Sequence, residues 1–262
     1  MNLAPPLSVS HLSVRFGRHT VVDGVSFAID RPQVVAILGP NGSGKTTLLR
    51  ALLGLIRSGG SIAWDGDASL VHHPARLARS VAYLAQTPTW VATQTVSQTI
   101  LAGRFARRRA FDFFDSPDDA AVVTKVAAEL GLSELLPRPI ERLSGGQRQR
   151  AFLGRCLAQE ARTLVLDEPA TFLDLRHQLD LYSQVRRLSR EEGKTIVMAC
   201  HDLNLAATHA DRMLVVNKGR IVADGPPETV LTERLLANVY GVQMQRIEAS
   251  DGPHFVARAS GT

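Results

Sequence analysis

The sequence predicts an α/β chain with a parallel-sheet core, an N-terminal antiparallel β layer and an inserted α-helical subdomain. Three observations carry this. Short β-branched apolar runs, QVVAIL at 33–38, TLVLD at 163–167 and TIVMAC at 195–200, each lead into a polar turn and a helical stretch. That is how buried parallel strands alternate with helices. LSVSHLSVRF and VVDGVSFAI, ahead of the first run, alternate apolar and polar residues as half-buried strands do. Between Gln86 and Gln159 the pattern is mostly helical, so a helical block interrupts the core strands.

Taken in order, the two alternating segments and SIAWDG form the antiparallel layer, and QVVAIL is a buried strand feeding KTTLLRALLGLI, which has helical spacing. In the helical block, DFFDSPDD (112–119) is expected as a loop, with breaks at Gly131, Pro137 and Pro139. RMLVVNKGRIVADG predicts a hairpin turning at Lys218-Gly219. We expect one domain over 1–245, with the helical subdomain at about 87–160, and a weakly patterned tail over 246–262.

The chain has 262 residues, 45% of them apolar, enough for a sizeable core. No run approaches 18 uninterrupted apolar residues, and MNLAPPLSVS lacks the pattern of a secretory signal, so a cytoplasmic protein is expected. Cys156 and Cys200 lie in apolar surroundings without metal-ligand spacing and are expected as buried free thiols. The net charge of +5 selects no partner class. Its densest run, RFARRR from Arg104 to Arg109, is expected as a solvated helix end, with a membrane-surface contact as the alternative.

GPNGSGKT fits G-x-x-x-x-G-K-[ST], and it sits between a strand and a helix, the context that gives the motif its meaning. Gly39, Pro40, Asn41, Gly42, Ser43 and Gly44 form a loop able to curl around phosphate, and Thr47 follows at the helix start. Lys45 is expected to reach the β- and γ-phosphates, and the Thr46 hydroxyl to bind Mg2+. Asp167 closes a buried strand, where open α/β sheets bind ligands, and can hold the same ion. Glu168 points the other way and can orient or deprotonate a water. His201 ends the next strand and can touch the γ-phosphate; Gln86 also follows an apolar run and can touch Mg2+ or the attacking water.

A second glycine turn, RLSGGQRQR, opens straight into a helix. Ser144, Gly145, Gly146 and Gln147 offer a hydroxyl, backbone N–H groups and a helix start to an anion, but no lysine and no metal-binding threonine. It is half a site. Either the helical block folds back over the first loop, or the turn completes the site of a second chain.

The set Gly39–Thr46, Gln86, LSGGQ, LVLDEP, the FLD that ends at Asp174, and His201 resembles the ATP-binding-cassette ATPases over nearly the whole chain. The resemblance implies a P-loop nucleoside-triphosphatase core, Mg2+ and ATP, and a head-to-tail homodimer with ATP between one copy's phosphate loop and the other's LSGGQ. It places an adenine-stacking aromatic at Phe16 and a loop that communicates across the dimer at Asp174. It also implies membrane permease subunits contacted through about 87–109, indirectly a substrate-binding protein, no nucleic acid, and a peripheral position on the cytoplasmic face of the inner membrane.

Membrane spans, a second cassette and a long coiled-coil insertion are all missing from the sequence, which favours a stand-alone importer subunit over a non-transport ATPase. LARSVAYLAQ, TFLDLRHQLDLY and the HDLNLA phrase resemble importer ATPases for ferric siderophores, haem and cobalamin. Iron chelates lead that resemblance, with cobalamin or another cargo as the alternative. Gln98 and Phe105-Ala106 depart from it, in the segment that meets the permease.

Overall fold

The computed structural model describes residues 4–107, 116–249 and 252–258. Strands β1 (Leu7–Phe16) and β2 (His19–Ile29) form a hairpin, and β4 (Gly59–Trp64) adds to β1 on its other side, which gives the expected antiparallel layer. Between them in sequence come β3 (Val34–Leu38) and α1 (Lys45–Leu52). Helix α2 (Pro74–Ser80) leads into β5 (Val81–Leu84). The helical block holds α3 (Val96–Leu101), α4 (Pro117–Glu129) and α5 (Gly145–Ala158). The core resumes with β6 (Thr163–Asp167), α6 (Leu175–Glu192), β7 (Thr195–Ala199), α7 (Leu203–His209), β8 (Arg212–Asn217) and β9 (Arg220–Gly225). Helices α8 (Pro227–Val230) and α9 (Glu233–Tyr240) and strands β10 (Gln243–Ala249) and β11 (Gly252–Arg258) complete the described chain.

The central sheet runs β5-β6-β7-β3-β8-β9; the first five strands are parallel and β9 returns antiparallel at the edge. Its central strands are buried on both faces, so alternate residues serve two cores. Val34, Ala36 and Leu38 join Leu164, Leu166, Ile196 and Met198 under α5 and α6. Val35 and Ile37 join Val165, Val197 and Leu214 under α1 and the antiparallel layer. Trp64 is fully buried in that second core, where its indole N–H donates to Leu52 O at 2.8 Å.

Three expectations need correction. DFFDSPDD is not a loop throughout. Its residues 112–115 lie outside the described residues, but Pro117–Asp119 form the first turn of α4, because Ser116 caps Asp119 N, proline suits the first helical position and acidic residues suit a helix start. Nor is Arg104 a solvated helix end. It is buried, donating to Asp119 at 2.7 Å, Glu160 at 2.7 Å and the Ala158 carbonyl at 2.8 Å, while Arg107 donates to the carbonyls of Gln159 and Glu160. Arg108 and Arg109 lie outside the described residues. Finally, the boundary at 245 falls inside a strand, because β10 (Gln243–Ala249) pairs with β11 (Gly252–Arg258). Phe255 is buried against the main core, and Asn204 both accepts from Phe255 N and donates to Phe255 O.

Cys156 and Cys200 are buried, and burial pushes their thiols up to about 11 and about 12, as expected of inert core cysteines. The β8–β9 turn falls at Lys218-Gly219, both with positive φ, as a tight hairpin requires.

Candidate functional site

Four neighbouring strands deliver the site. The carboxyl ends of β3, β6 and β7 lead into the phosphate loop, Glu168 and His201, and Gln86 follows β5. This is the crevice that open α/β sheets use for ligands.

The loop at 39–44 owes its shape to its glycines. A Cβ on Gly39 would sit 2.1 Å from Val216 O, and one on Gly44 would sit 2.8 Å from Val21 O at a φ of 106°. Neither position admits a side chain. Gly44 caps α1, so the N–H groups of the first turn face the loop. Lys45 is buried and its ammonium donates to Gly39 O at 2.8 Å and Pro40 O at 3.3 Å. Burial lowers its pKa, against the opposing charges of Glu168 and Asp167. The Ser43 hydroxyl oxygen is buried with no hydrogen-bond partner. Thr46 and Thr47 are half-buried on the first turn of α1, and Asn41 and Gly42 are exposed at the tip of the loop.

Asp167 is fully buried and accepts from Thr46 Oγ1 at 3.0 Å and from the Tyr83 hydroxyl at 3.4 Å. Burial raises its pKa, opposed first by the Thr46 hydrogen bond. Burial and Asp167 together keep the Tyr83 phenol above its ordinary value, so it stays protonated and donates. Glu168 takes a left-handed conformation, φ 51°, which a non-glycine residue holds only under constraint. Its Oε2 accepts from Gln86 Nε2 at 2.6 Å, and its Oε1 lies 2.5 Å from His201 Nε2. The backbone beyond it is tied down: Gln149 on α5 donates to Pro169 O, and Gln178 on α6 donates to Ala170 O and Leu173 O.

Glu168, Gln86 and His201 are thus one cluster, and Lys45, Thr46 and Asp167 are another beside it. The arrangement can take polyphosphate on the loop, bring the hard oxygens of Thr46 and Asp167 together for a divalent cation, and present a fixed carboxylate to a water. Sequence reasoning missed Tyr83, Gln149 and Gln178. Only Tyr83 carried a signal, as the residue two before the end of the strand run that leads to Gln86.

The second turn stands apart. Ser144 caps α5 by accepting from Gln147 N at 3.2 Å, and Gln147 Oε1 accepts from Ser144 N at 3.1 Å. Ser144 is exposed, and so is Phe172, on the loop that packs beside the turn; Leu175, the first residue of α6, is exposed too. Asp174 is exposed and caps α6, accepting from His177 N. Phe16 is also exposed, 55%, at the end of β1, so it is not a core aromatic. Among the described residues, no helix is long and apolar enough to cross a membrane.

Comparisons agree with this geometry. Residues 22–171 match the family model described as ABC transporter. The chain is 36% identical over 238 residues to the ferric enterobactin transport ATP-binding protein FepC of Escherichia coli strain K12, covering 90% of this chain and 88% of that one. It is 40% identical over 249 residues to the hemin import ATP-binding protein HmuV of Rhodopseudomonas palustris strain BisA53, covering 92% and 89%. Among solved structures, it matches a chain of an inward-facing ABC transporter described as metal-chelate type, with a TM-score of 0.84, 28% identity and 99% and 98% of the two chains covered. It also matches the ADP conformation of an ATP-binding cassette, with a TM-score of 0.77, 26% identity and 90% and 98% coverage. A phosphate loop, a strand-end Asp-Glu pair and a capped LSGGQ helix on one P-loop core, together with these likenesses, place the chain in the ABC transporter family as one of its ATP-binding, ATP-hydrolysing cassettes.

Proposed function

We propose that this cassette powers an importer for an iron chelate, a ferric siderophore or haem, as a head-to-tail pair of copies beneath separate permease subunits. The observation that carries the two-copy reading is the room around the second turn. A Cβ on Gly145 would lie 3.6 Å from Phe172 Cβ, and one on Gly146 would lie 3.4 Å from Leu173 Cδ2. Both are ordinary contacts, and neither residue has positive φ. Among the described residues nothing requires glycine there, and an anion held against the turn by another copy supplies a reason for it. The exposed Phe172 beside the turn and the exposed Leu175 suit the same interface.

In this reading Lys45 and the loop amides bind the β- and γ-phosphates of ATP, and Phe16 stacks on the adenine. Ser144, Gly145, Gly146 and Gln147 of the second copy close over the γ-phosphate, and Asp174 faces the partner. The paired Thr46 and Asp167 oxygens fit Mg2+, and Gln86 Oε1 would be a third donor. Bound there, Mg2+ neutralises charge on the phosphate oxygens. Glu168 accepts a proton from water as the water oxygen bonds to the γ-phosphorus, and ADP leaves with the electrons of the broken P–O bond. His201 and Gln86 hold the Glu168 carboxylate on both sides and so set its direction. ATP contacts both copies and favours the closed pair; losing the γ-phosphate opens it, and that cycle drives the permease.

The names of the two relatives, for ferric enterobactin transport and hemin import, support an iron-chelate cargo. The same reading puts the protein on the cytoplasmic face of the inner membrane, served indirectly by a substrate-binding protein and without a nucleic-acid partner. The test is a deletion strain given iron only as ferric siderophore or only as haem, beside a cobalamin-dependent condition. Loss of growth on one iron source, restored by the wild-type gene and not by Glu168→Gln, is the expected result. Normal growth on both iron sources overturns the cargo.

A further inference from the structure

We propose that Tyr83 is a positioning residue for Asp167, holding Oδ2 of its carboxylate so that Oδ1 stays turned toward Thr46. The inference rests on the reading of Asp167 as a magnesium ligand.

Strands β5 and β6 pair in parallel with Tyr83 opposite Val165. Asp167 is two residues beyond Val165, so all three side chains emerge on the face that α1 covers. The two carboxylate oxygens are engaged by different hydroxyls, Oδ1 by Thr46 and Oδ2 by Tyr83. A carboxylate held at one oxygen can still swing about its Cβ–Cγ bond; held at both, it cannot. Thr46 belongs to the ion's own donor set, which leaves Tyr83 as the restraint independent of the ion. Arg50 lies close enough for its charge to act on both Tyr83 and Asp167. The ring is half-buried among the residues of the second core and reaches the wall of a groove of about 530 Å3 beside Ala78 and Phe105. The phenol therefore stays anchored when only its oxygen is removed, and this makes Tyr83→Phe a clean change.

The experiment uses the full chain with a non-hydrolysable ATP analogue and titrates Mn2+, following the electron paramagnetic resonance signal of the free ion. Tyr83→Phe is expected to raise the Mn2+ concentration at half-saturation about tenfold, the low end for groups standing behind metal ligands. Its Tm and its analogue affinity in excess EDTA should match wild type. A merely structural ring would instead lower Tm and metal-free analogue affinity together, and that result overturns the proposal, as does wild-type Mn2+ binding by Tyr83→Phe. Asp167→Asn separates the two layers: if it binds Mn2+ as wild type does, the ligand reading fails and the proposal falls with it. If Asp167→Asn loses the ion while Tyr83→Phe keeps it, only the positioning role fails.

Discussion

The chain carries two glycine turns that open helices, and they are built on opposite principles. At 39–44 the glycines are required from within: the backbone of β8 and β2 leaves no space for a Cβ on Gly39 or Gly44, Gly42 has a φ of 77°, and Lys45 is buried against the loop's own carbonyls. At 144–147 the glycines have space beside them, the serine is exposed, and the only fixed feature is a capping box. The first turn is preorganised within a single chain. The second is an exposed, capped helix start, which the proposed reading assigns to a ligand held by a second copy. The difference teaches that what a missing Cβ would strike, read together with φ, separates glycines that the fold itself demands from glycines that it merely allows.

The largest expected effect falls on the first region. Glu168→Gln keeps the side chain's size but replaces one carboxylate oxygen with an NH2 group and cannot accept a proton, so turnover should fall by about 10³-fold, within the range for losing a general base. Nucleotide binding should persist and the paired state should accumulate, read by size-exclusion chromatography with ATP and Mg2+. Turnover at the wild-type rate would remove Glu168 from the chemistry.

Next in size is the anchor of the helical block that carries the second turn. Arg104→Ala removes a buried guanidinium from between Asp119, Glu160 and the Ala158 carbonyl, and should cost about 3 kcal/mol in denaturant unfolding. Arg104, first through its hydrogen bonds, holds the Asp119 and Glu160 carboxyls below their ordinary range. Depressed carboxylates stabilise the fold above their unfolded-state pKa, and that contribution disappears as pH falls through the folded values. Wild type should therefore lose its advantage over Arg104→Ala below about pH 4. A constant difference down to pH 2 would break this account.

The paired glycine changes test the comparison itself. Gly44→Ala meets Val21 O at 2.8 Å with φ 106° and should destabilise by about 2 kcal/mol. Gly146→Ala, on the first turn of α5, should leave stability unchanged or raise it by up to about 1 kcal/mol, as alanine does in helices. Its turnover should nevertheless fall about 10²-fold, because the methyl group occupies the approach of the partner's nucleotide. Gly146→Ala at full activity would mean that the turn closes on nothing.

Much of this was legible in the sequence because the chemistry-bearing residues lie in short local motifs at strand ends. GPNGSGKT, LVLDEP and LSGGQ each announce both a backbone shape and a function. What was not legible depends on register between distant segments. Nothing local places Tyr83 opposite Val165, so its reach to Asp167 appears only once β5 and β6 pair. The same holds for Arg104, whose charged neighbours in sequence suggest solvent but whose partners, Asp119 and Glu160, arrive from two other elements. The C-terminal hairpin, in which Ala249 pairs with Gly252, was not legible either. Its apolar alternation is weak: among the described residues of the hairpin Phe255 is buried in the main core and Met244 packs against it partly buried.

The smallest stability change gives the sharpest separation at the second turn. Ser144 does two jobs in the proposed reading, capping α5 and meeting the γ-phosphate of the partner's ATP. Ser144→Ala loses both, at a cost of about 1 kcal/mol for the cap. Ser144→Asp splits them. Aspartate caps a helix as well as serine does, and its charge suits the helix N-terminus, so stability should stay within a few tenths of a kcal/mol of wild type. Yet a carboxylate in that place repels phosphate, so turnover and ATP-dependent pairing should both collapse. If the aspartate variant were folded, paired and active, the capping box would be the turn's whole function, and the second turn would be a helix start and nothing more.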